Sequence, residues 1–133
     1  MIRTLIIDDD HLTMMLQKRL VIKCELDTDP FTFSNPLNAL EFLQSENSED
    51  SFLILLDINM PVLNGWEFLE KIKIIANNDK YHVVMTTSSM DRLDKRKAAN
   101  DNLVVDFVEK PLSSRHCEKL KGIAKLSHHY IAC

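Results

Sequence analysis

Glycine is scarce in this sequence: only Gly65 and Gly122 occur among 133 residues. A dinucleotide-binding loop of the G-x-G-x-x-G type is therefore excluded, because that motif needs three glycines within six residues. Basic residues are also too few for a nucleic-acid surface, since 16 lysines and arginines stand against 20 aspartates and glutamates and the formal net charge is −4. We therefore expect no nucleic acid among the partners.

Long apolar runs and a cysteine framework are missing as well. No apolar stretch approaches the roughly 18 residues of a membrane-spanning helix, and the short apolar start of the chain ends in three aspartates, unlike a signal peptide. The three cysteines, Cys24, Cys117 and Cys133, are odd in number and far apart, which is typical of free thiols in a reducing compartment. We expect a cytoplasmic protein that does not bind a membrane.

The length and composition predict one globular domain over residues 1–133. With 45% hydrophobic and 27% charged residues the chain can bury a core, and 133 residues are too few for two ordinary domains. We expect no output domain, because the chain ends about one helix after Lys110.

Apolar runs and helical patterns alternate five times along the chain. The runs are near-continuously apolar, as in parallel strands that are buried on both faces. They predict strands at 4–7, 30–34, 52–56, 82–87 and 103–109. The segments between and after them predict helices at 11–25, 35–44, 64–75, 89–100 and 113–132. This order predicts an α/β fold of five βα units, a doubly wound parallel sheet with helices on both faces.

Individual residues mark the ends and faces of these helices. Asn35, followed by Pro36, and Ser89 are candidate N-caps of the second and fourth helices. In the first predicted helix, the residues that recur at helical spacing and so share one face are Leu12, Met15, Leu16, Arg19 and Leu20. Inward positions in the third and last helices are predicted for Trp66, Leu69, Ile72, Ile75 or Ala76, Leu120, Ile123 and Ala124.

Polar residues that directly follow the predicted strands are the candidates for function. In a doubly wound parallel sheet, ligands bind at the carboxyl ends of the strands. These ends carry Asp8, Asp9 and Asp10, then Asp57, then Thr87, Ser88 and Ser89, and finally Lys110 with Pro111. Each feature alone is common in turns, caps or exposed surfaces, but their joint occurrence at one sheet edge favours a functional site.

Clustered carboxylates beside hydroxyls and one ammonium group suit phosphoryl chemistry. Packed carboxylates repel each other, so a cation is expected among them. Hard oxygen ligands suit Mg²⁺, which prefers one or two carboxylates together with phosphate oxygens. One carboxylate could then act as a nucleophile toward phosphorus, while the lysine and a hydroxyl hold the phosphoryl oxygens.

The segments that carry these residues resemble the receiver domain of two-component response regulators. They read LIIDDDHLT, LILLDINMPVLNGWEFL, VVMTTSS and DFVEKPL, in family order and over nearly the whole chain. The resemblance implies a flavodoxin-like sheet of order 2-1-3-4-5. It also implies a stand-alone response regulator that accepts a phosphoryl group as an aspartyl phosphate.

By this resemblance Asp57 is the phosphoacceptor, Lys110 is the phosphate-binding lysine and Thr87 is the switch hydroxyl. Thr86 is a competing candidate for the switch hydroxyl, and the register of VVMTTSS favours Thr87. Phe107 is the switch aromatic and replaces a frequent tyrosine, so it has no hydroxyl to bond a partner. The face formed by the fourth helix, fifth strand and fifth helix would transmit the signal as a two-state population shift.

The implied cofactor is Mg²⁺, or Mn²⁺. Its ligands would be Asp8, Asp9, Asp57 and the backbone carbonyl of Asn59, with Asp9 as the more direct ligand of the acidic pair. Receivers often have a cis bond at the position of Lys110-Pro111. The implied partners are a sensor histidine kinase or a histidine phosphotransfer protein as donor, and a downstream protein that the sequence does not identify.

Two alternatives stay open at this point. A degenerate receiver would only bind partners, although every residue for the chemistry is present. A haloacid-dehalogenase-type phosphatase would also use a nucleophilic Asp, Mg²⁺, a hydroxyl and a Lys, but it needs a second Asp where this chain has Asn59. We expect the protein not to be an enzyme, apart from Mg²⁺-dependent self-phosphorylation and slow autodephosphorylation.

Overall fold

The structure is a computed structural model that describes residues 1–75 and 77–130. Five parallel strands form one sheet in the order β2-β1-β3-β4-β5, which confirms the predicted α/β, flavodoxin-like fold. The strands are β1 Ile2–Ile7, β2 Phe31–Phe33, β3 Ser51–Asp57, β4 Tyr81–Thr87 and β5 Val104–Glu109. The helices are α1 His11–Lys23, α2 Pro36–Ser45, α3 Gly65–Lys73, α4 Arg92–Ala99 and α5 Ser114–Lys121, with short 3-10 helices at Asn78–Lys80 and Ser127–His129.

Two apolar cores lie on opposite faces of the sheet, because successive side chains of a strand point to opposite faces. Ile54 and Leu56 of β3 belong to the core that includes side chains of α2 and α3. Leu53 and Leu55 belong to the core that includes side chains of α1 and α5. Both faces of β3 are therefore covered, which explains why its sequence is apolar at successive positions.

The inward face of α1 differs from the face that the apolar spacing suggests. Met14, Gln17 and Val21 are its buried residues, whereas Leu12 and Leu16 are 71% and 55% exposed. Most of the apolar stripe of the sequence therefore lies on the outer face of the helix, whereas its last member, Leu20, is half-buried and packs against the core. Which side is buried is set by how α1 lies on the sheet, and this placement puts a polar glutamine in a buried position.

Several predicted helix ends differ from the structure. Helix α1 ends at Lys23 rather than at residue 25, and α3 ends at Lys73 rather than at residue 75. The cap of α4 is Asp91 rather than Ser89, because the Asp91 carboxylate accepts the backbone N–H of Leu93 at 2.8 Å. The last helix ends at Lys121, with Gly122 as its C-cap, and Ala124 is exposed rather than inward. By contrast, the predicted Asn35 cap of α2 is confirmed. Predictions for Ala76 and for residues 131–133 lie outside the described residues.

No helix in the described part of the chain combines the length and apolarity needed to cross a membrane.

Candidate functional site

The carboxyl ends of β1 and β3 bring three carboxylates together. Asp8 follows β1, Asp57 is the last residue of β3, and the two strands are neighbours in the sheet. Single carboxylate oxygens of Asp8, Asp9 and Asp57 lie within 4.8 Å of one another. Asp8 and Asp57 are buried and Asp9 is exposed, so a ligand can approach the group from the side of Asp9.

The Lys110 ammonium group offsets part of this negative charge. Its Nζ donates to Asp8 Oδ2 at 2.9 Å and to Asp57 Oδ1 at 3.2 Å. The backbone N–H of Lys110 donates to the carbonyl of Thr87 at 2.7 Å, which fixes the start of the loop after β5 beside the end of β4. The Lys110-Pro111 peptide bond is cis, as the resemblance implies.

Burial and charge shift the pKa values of the pair formed by Asp57 and Lys110. Burial and the neighbouring charge of Asp8 raise the pKa of Asp57 to about 6, against the opposing effect of Lys110. Burial lowers the pKa of Lys110, but its bonds to Asp8 and Asp57 and their charges outweigh burial, and the net shift is upward. At neutral pH the lysine is therefore a cation, while Asp57 is an anion whose charge is disfavoured by burial and by the neighbouring Asp8.

The donor set of this cluster fits Mg²⁺. Three carboxylates offer hard oxygen ligands, and the backbone N–H of Asn59 lies 3.4 Å from Asp57 Oδ1, which places the Asn59 backbone beside the cluster. Asp10, which directly follows Asp8 and Asp9 in the sequence, has a different structural role. Its carboxylate caps α1 by accepting the backbone N–H of Leu12 at 3.0 Å.

The loop between β3 and α3 holds Asp57 in place. The N–H of Ile58 donates to the carbonyl of Thr86 at 2.9 Å, and the N–H of Gly65 donates to the carbonyl of Ile58 at 2.8 Å. A Cβ atom at Gly65 would lie 2.7 Å from the carbonyl oxygen of Asp57 and 2.9 Å from Ile58 Cα. The chain therefore needs glycine here, because the start of α3 packs directly against the end of β3.

Thr87 and Phe107, the predicted switch residues, lie on neighbouring strands. The Thr87 hydroxyl donates to the Ser89 carbonyl at 2.9 Å and accepts the Ser89 N–H at 3.2 Å. Phe107 is half-buried and lines, with Met90 and Ala98, a groove of about 320 Å³ between α4 and β5. Thr86, the competing hydroxyl, is buried and pairs with Asp57 in the sheet register.

A contact between α3 and α4 was not predicted from the sequence. The indole Nε1 of Trp66 donates to Asp94 Oδ1 at 2.9 Å, and Lys97 Nζ lies 4.7 Å from the centroid of the indole ring. The spacing of Asp94 and Lys97 places both on one helix face. Nothing in the sequence pairs that face with Trp66, because the contact depends on how two helices pack.

Comparison with known proteins identifies the class to which this fold and site belong. The sequence-family model of the response regulator receiver domain matches residues 4–120 of this chain. The chain therefore belongs to the receiver-domain family of two-component response regulators. Receiver domains generally use Mg²⁺ and are generally phosphorylated by histidine kinases or phosphotransfer proteins.

Relatives of this chain differ in how much of their length it covers. The two-component response regulator ARR16 of Arabidopsis thaliana is 31% identical, over 90% of this chain and 78% of its own length. The cyclic di-GMP phosphodiesterase response regulator RpfG of Xanthomonas campestris is 26% identical, over 83% of this chain but 28% of its own length. A response regulator receiver protein of Dyadobacter fermentans has a TM-score of 0.81 at 26% identity, covering 91% of this chain and 95% of that one.

Proposed function

We propose that this chain accepts a phosphoryl group on Asp57 as the receiver of a two-component phosphorelay, and that residues 1–133 act as one domain. The observation that carries the proposal is the bridge formed by Lys110, whose Nζ lies 2.9 Å from Asp8 Oδ2 and 3.2 Å from Asp57 Oδ1. It sets a cation beside a buried carboxylate at the carboxyl edge of a parallel sheet, which is where chemistry is expected in such folds.

The donor would be a phosphohistidine on a sensor kinase or a phosphotransfer protein. A carboxylate oxygen of Asp57 attacks phosphorus, and the O–P bond forms as the N–P bond breaks. The electron pair of the broken bond stays on the imidazole nitrogen, which takes up a proton from solvent. Lys110 offsets the charge on the phosphoryl oxygens throughout, and the acyl phosphate then hydrolyses slowly at the same site.

Asp8, Asp9, Asp57 and the backbone carbonyl of Asn59 would hold Mg²⁺, or Mn²⁺, in this site. Their oxygen donors and their closeness support this assignment. A bound divalent ion supplies positive charge that offsets the negative charge of the phosphoryl oxygens.

Exposed apolar side chains next to the site support a protein as the donor. Leu12, Met15 and Leu16 project from the outer face of α1, and Leu16 lines a cavity of about 260 Å³ together with Lys110 and Pro111. The apolar face of α1 is therefore continuous with the lysine of the site. We expect the phosphohistidine-bearing partner to cover this face, because contiguous exposed apolar surface favours a protein contact.

The response would begin at Thr87. Its hydroxyl donates to the Ser89 carbonyl and would turn to a phosphoryl oxygen once Asp57 carries one. Phe107 would then pack into the space that Thr87 leaves. Both changes would reshape the face formed by α4, β5 and α5, which would signal to a downstream protein as a population shift.

The alternative functions have less support. Membership in the receiver family argues against a haloacid-dehalogenase-type phosphatase. The close group of Asp8, Asp57 and Lys110 argues against a receiver that only binds partners, since such a receiver does not require these contacts.

Incubation with acetyl phosphate and Mg²⁺ tests the proposal. Intact-mass analysis should show one phosphoryl adduct on the wild type and none on Asp57→Asn. Asp10→Asn is the matched control, because it changes a neighbouring carboxylate outside the cluster and keeps the cap. An unlabelled wild type, or an equal adduct on Asp57→Asn, contradicts the proposal.

A further inference from the structure

Helix α4 contributes little to the apolar cores. Of its eight residues Arg92–Ala99, only Ala98 is buried, and Leu93 is 67% exposed. Because helices are held on a sheet mainly by burial of an apolar face, the position of α4 depends to an unusual degree on its polar contacts.

The polar contacts of α4 converge on the side chain of Trp66. This residue lies on α3, donates its indole N–H to Asp94 and has Lys97 over its ring. A second link lies just after α4, where Asp101 forms a salt bridge with Lys73 at the end of α3. We call Trp66, Asp94 and Lys97 the α3–α4 clamp. Among the side chains of α4 other than Ala98, Asp94 alone is half-buried rather than exposed, so the clamp bond is partly shielded from water.

The position of α4 is coupled to the switch residues through a short segment. Thr87 ends β4, its hydroxyl bonds to Ser89, and Asp91 caps α4 only two residues later. On the other side, the groove of about 320 Å³ between α4 and β5 is lined by Phe107. A shift of α4 would therefore change both the Thr87 segment and the space beside Phe107.

We propose that Trp66 is a positioning residue that holds α4 in the arrangement described above and thereby restrains phosphorylation of Asp57. This inference rests on the proposed function. If the arrangement competent for phosphorylation is a minor one, the labelling rate follows its population. Loss of the clamp bond should raise that rate about fivefold, which corresponds to roughly 1 kcal/mol.

Three substitutions separate the clamp bond from general damage to the fold. Trp66→Phe keeps a ring but removes the indole donor, and Asp94→Ala removes the acceptor. Asp94→Asn keeps a carbonyl acceptor for the indole N–H, so this variant should be labelled at the wild-type rate. Arg92→Gln is the matched control, because it changes an exposed charge on the same helix. The initial rate of labelling by acetyl phosphate with Mg²⁺ is measured by intact mass, and thermal unfolding verifies that each variant is folded.

Trp66 also provides a spectroscopic readout, since it is the only tryptophan of the chain. Addition of beryllofluoride with Mg²⁺ should change its emission in the wild type as the bond to Asp94 opens. The emission of unmodified Asp94→Ala should already resemble the beryllofluoride-bound state. A merely structural role would lower stability without either effect.

The outcomes distinguish the two proposals. Faster labelling of Trp66→Phe and Asp94→Ala, with Asp94→Asn and Arg92→Gln at the wild-type rate, supports the clamp. Equal or slower labelling of the first two variants overturns the clamp while leaving Asp57 as the acceptor. An unlabelled wild type overturns the proposed function itself.

Discussion

The Lys110 ammonium nitrogen lies 2.9 Å from Asp8 Oδ2, so residues 102 positions apart in the sequence meet at the buried edge of the sheet. The Asp8 side chain is fully buried and that of Lys110 is 14% exposed. Breaking such a pair by removing one partner is costly, because it leaves a buried charge without compensation.

We expect Lys110→Met to lower the free energy of unfolding by about 2 kcal/mol or more at neutral pH. Lys121→Met is the matched control, since Lys121 pairs at 3.7 Å with an exposed Glu118 and should cost under about 1 kcal/mol. Urea denaturation of the two variants measures both values. Equal small losses would show that the bridge by Lys110 does not stabilise the fold.

Stability should depend on pH through Asp57. Its pKa rises from 3.8 to about 6 in the folded protein, so between these values the folded state binds more protons than the unfolded state. Stability from this group therefore falls as pH rises from about 4 to 6 and stays low above that range. We expect Asp57→Asn, without Mg²⁺, to be more stable than the wild type by roughly 1–2 kcal/mol at pH 7.5. Chemical denaturation at several pH values should show this gain vanish near pH 4, and a gain that is constant with pH would contradict the assignment.

Mg²⁺ should stabilise the protein through the carboxylate cluster. A ligand that binds only the folded state raises Tm with its concentration, and Asp9 is the exposed member of the cluster. We expect Asp9→Asn to change the metal-free Tm little and to shift the Mg²⁺ dependence of Tm to concentrations about tenfold higher or more. Asp10→Asn should behave as the wild type. Equal Mg²⁺ responses of Asp9→Asn and the wild type would exclude Asp9 as a ligand.

Substitution of the two glycines by alanine should have different effects on the stability of the protein. At Gly65 a Cβ would meet backbone atoms of Asp57 and Ile58 at 2.7 and 2.9 Å, whereas at Gly122 the nearest atom, the Lys119 carbonyl oxygen, lies at 3.6 Å. We expect Gly65→Ala to destabilise by about 1–3 kcal/mol and Gly122→Ala to be neutral or to stabilise by up to about 1 kcal/mol. Thermal unfolding of the pair tests this, and equal effects would mean that the end of β3 can move away.

The sheet and the edge that carries the site could be predicted from the sequence. Continuously apolar runs identify strands buried on both faces, and the residues that follow them, Asp8, Asp57 and Lys110, must then lie at one edge. The structure brings these three side chains together. Their distances and the pKa of Asp57 could not be predicted, because both depend on burial and on the side-chain conformation of Lys110.

The faces and ends of helices were less predictable. The apolar stripe with Leu12 and Leu16 points outward in α1, because an exposed apolar face and a core face have the same spacing in sequence. Asp91 rather than Ser89 caps α4, since two cap residues occur close together and the geometry of the preceding loop selects one. The bond between Trp66 and Asp94 joins two helices, and local sequence patterns carry no information about such a pair.

The central claim is that Asp57 carries the phosphoryl group, and chemical mapping tests it most directly. Borohydride reduces an acyl phosphate to an alcohol and so converts a phosphorylated aspartate to homoserine. After labelling with acetyl phosphate and Mg²⁺, peptide mass spectrometry should find homoserine at position 57 alone. Homoserine at position 8 or 9, or at no position in a labelled protein, would contradict the claim.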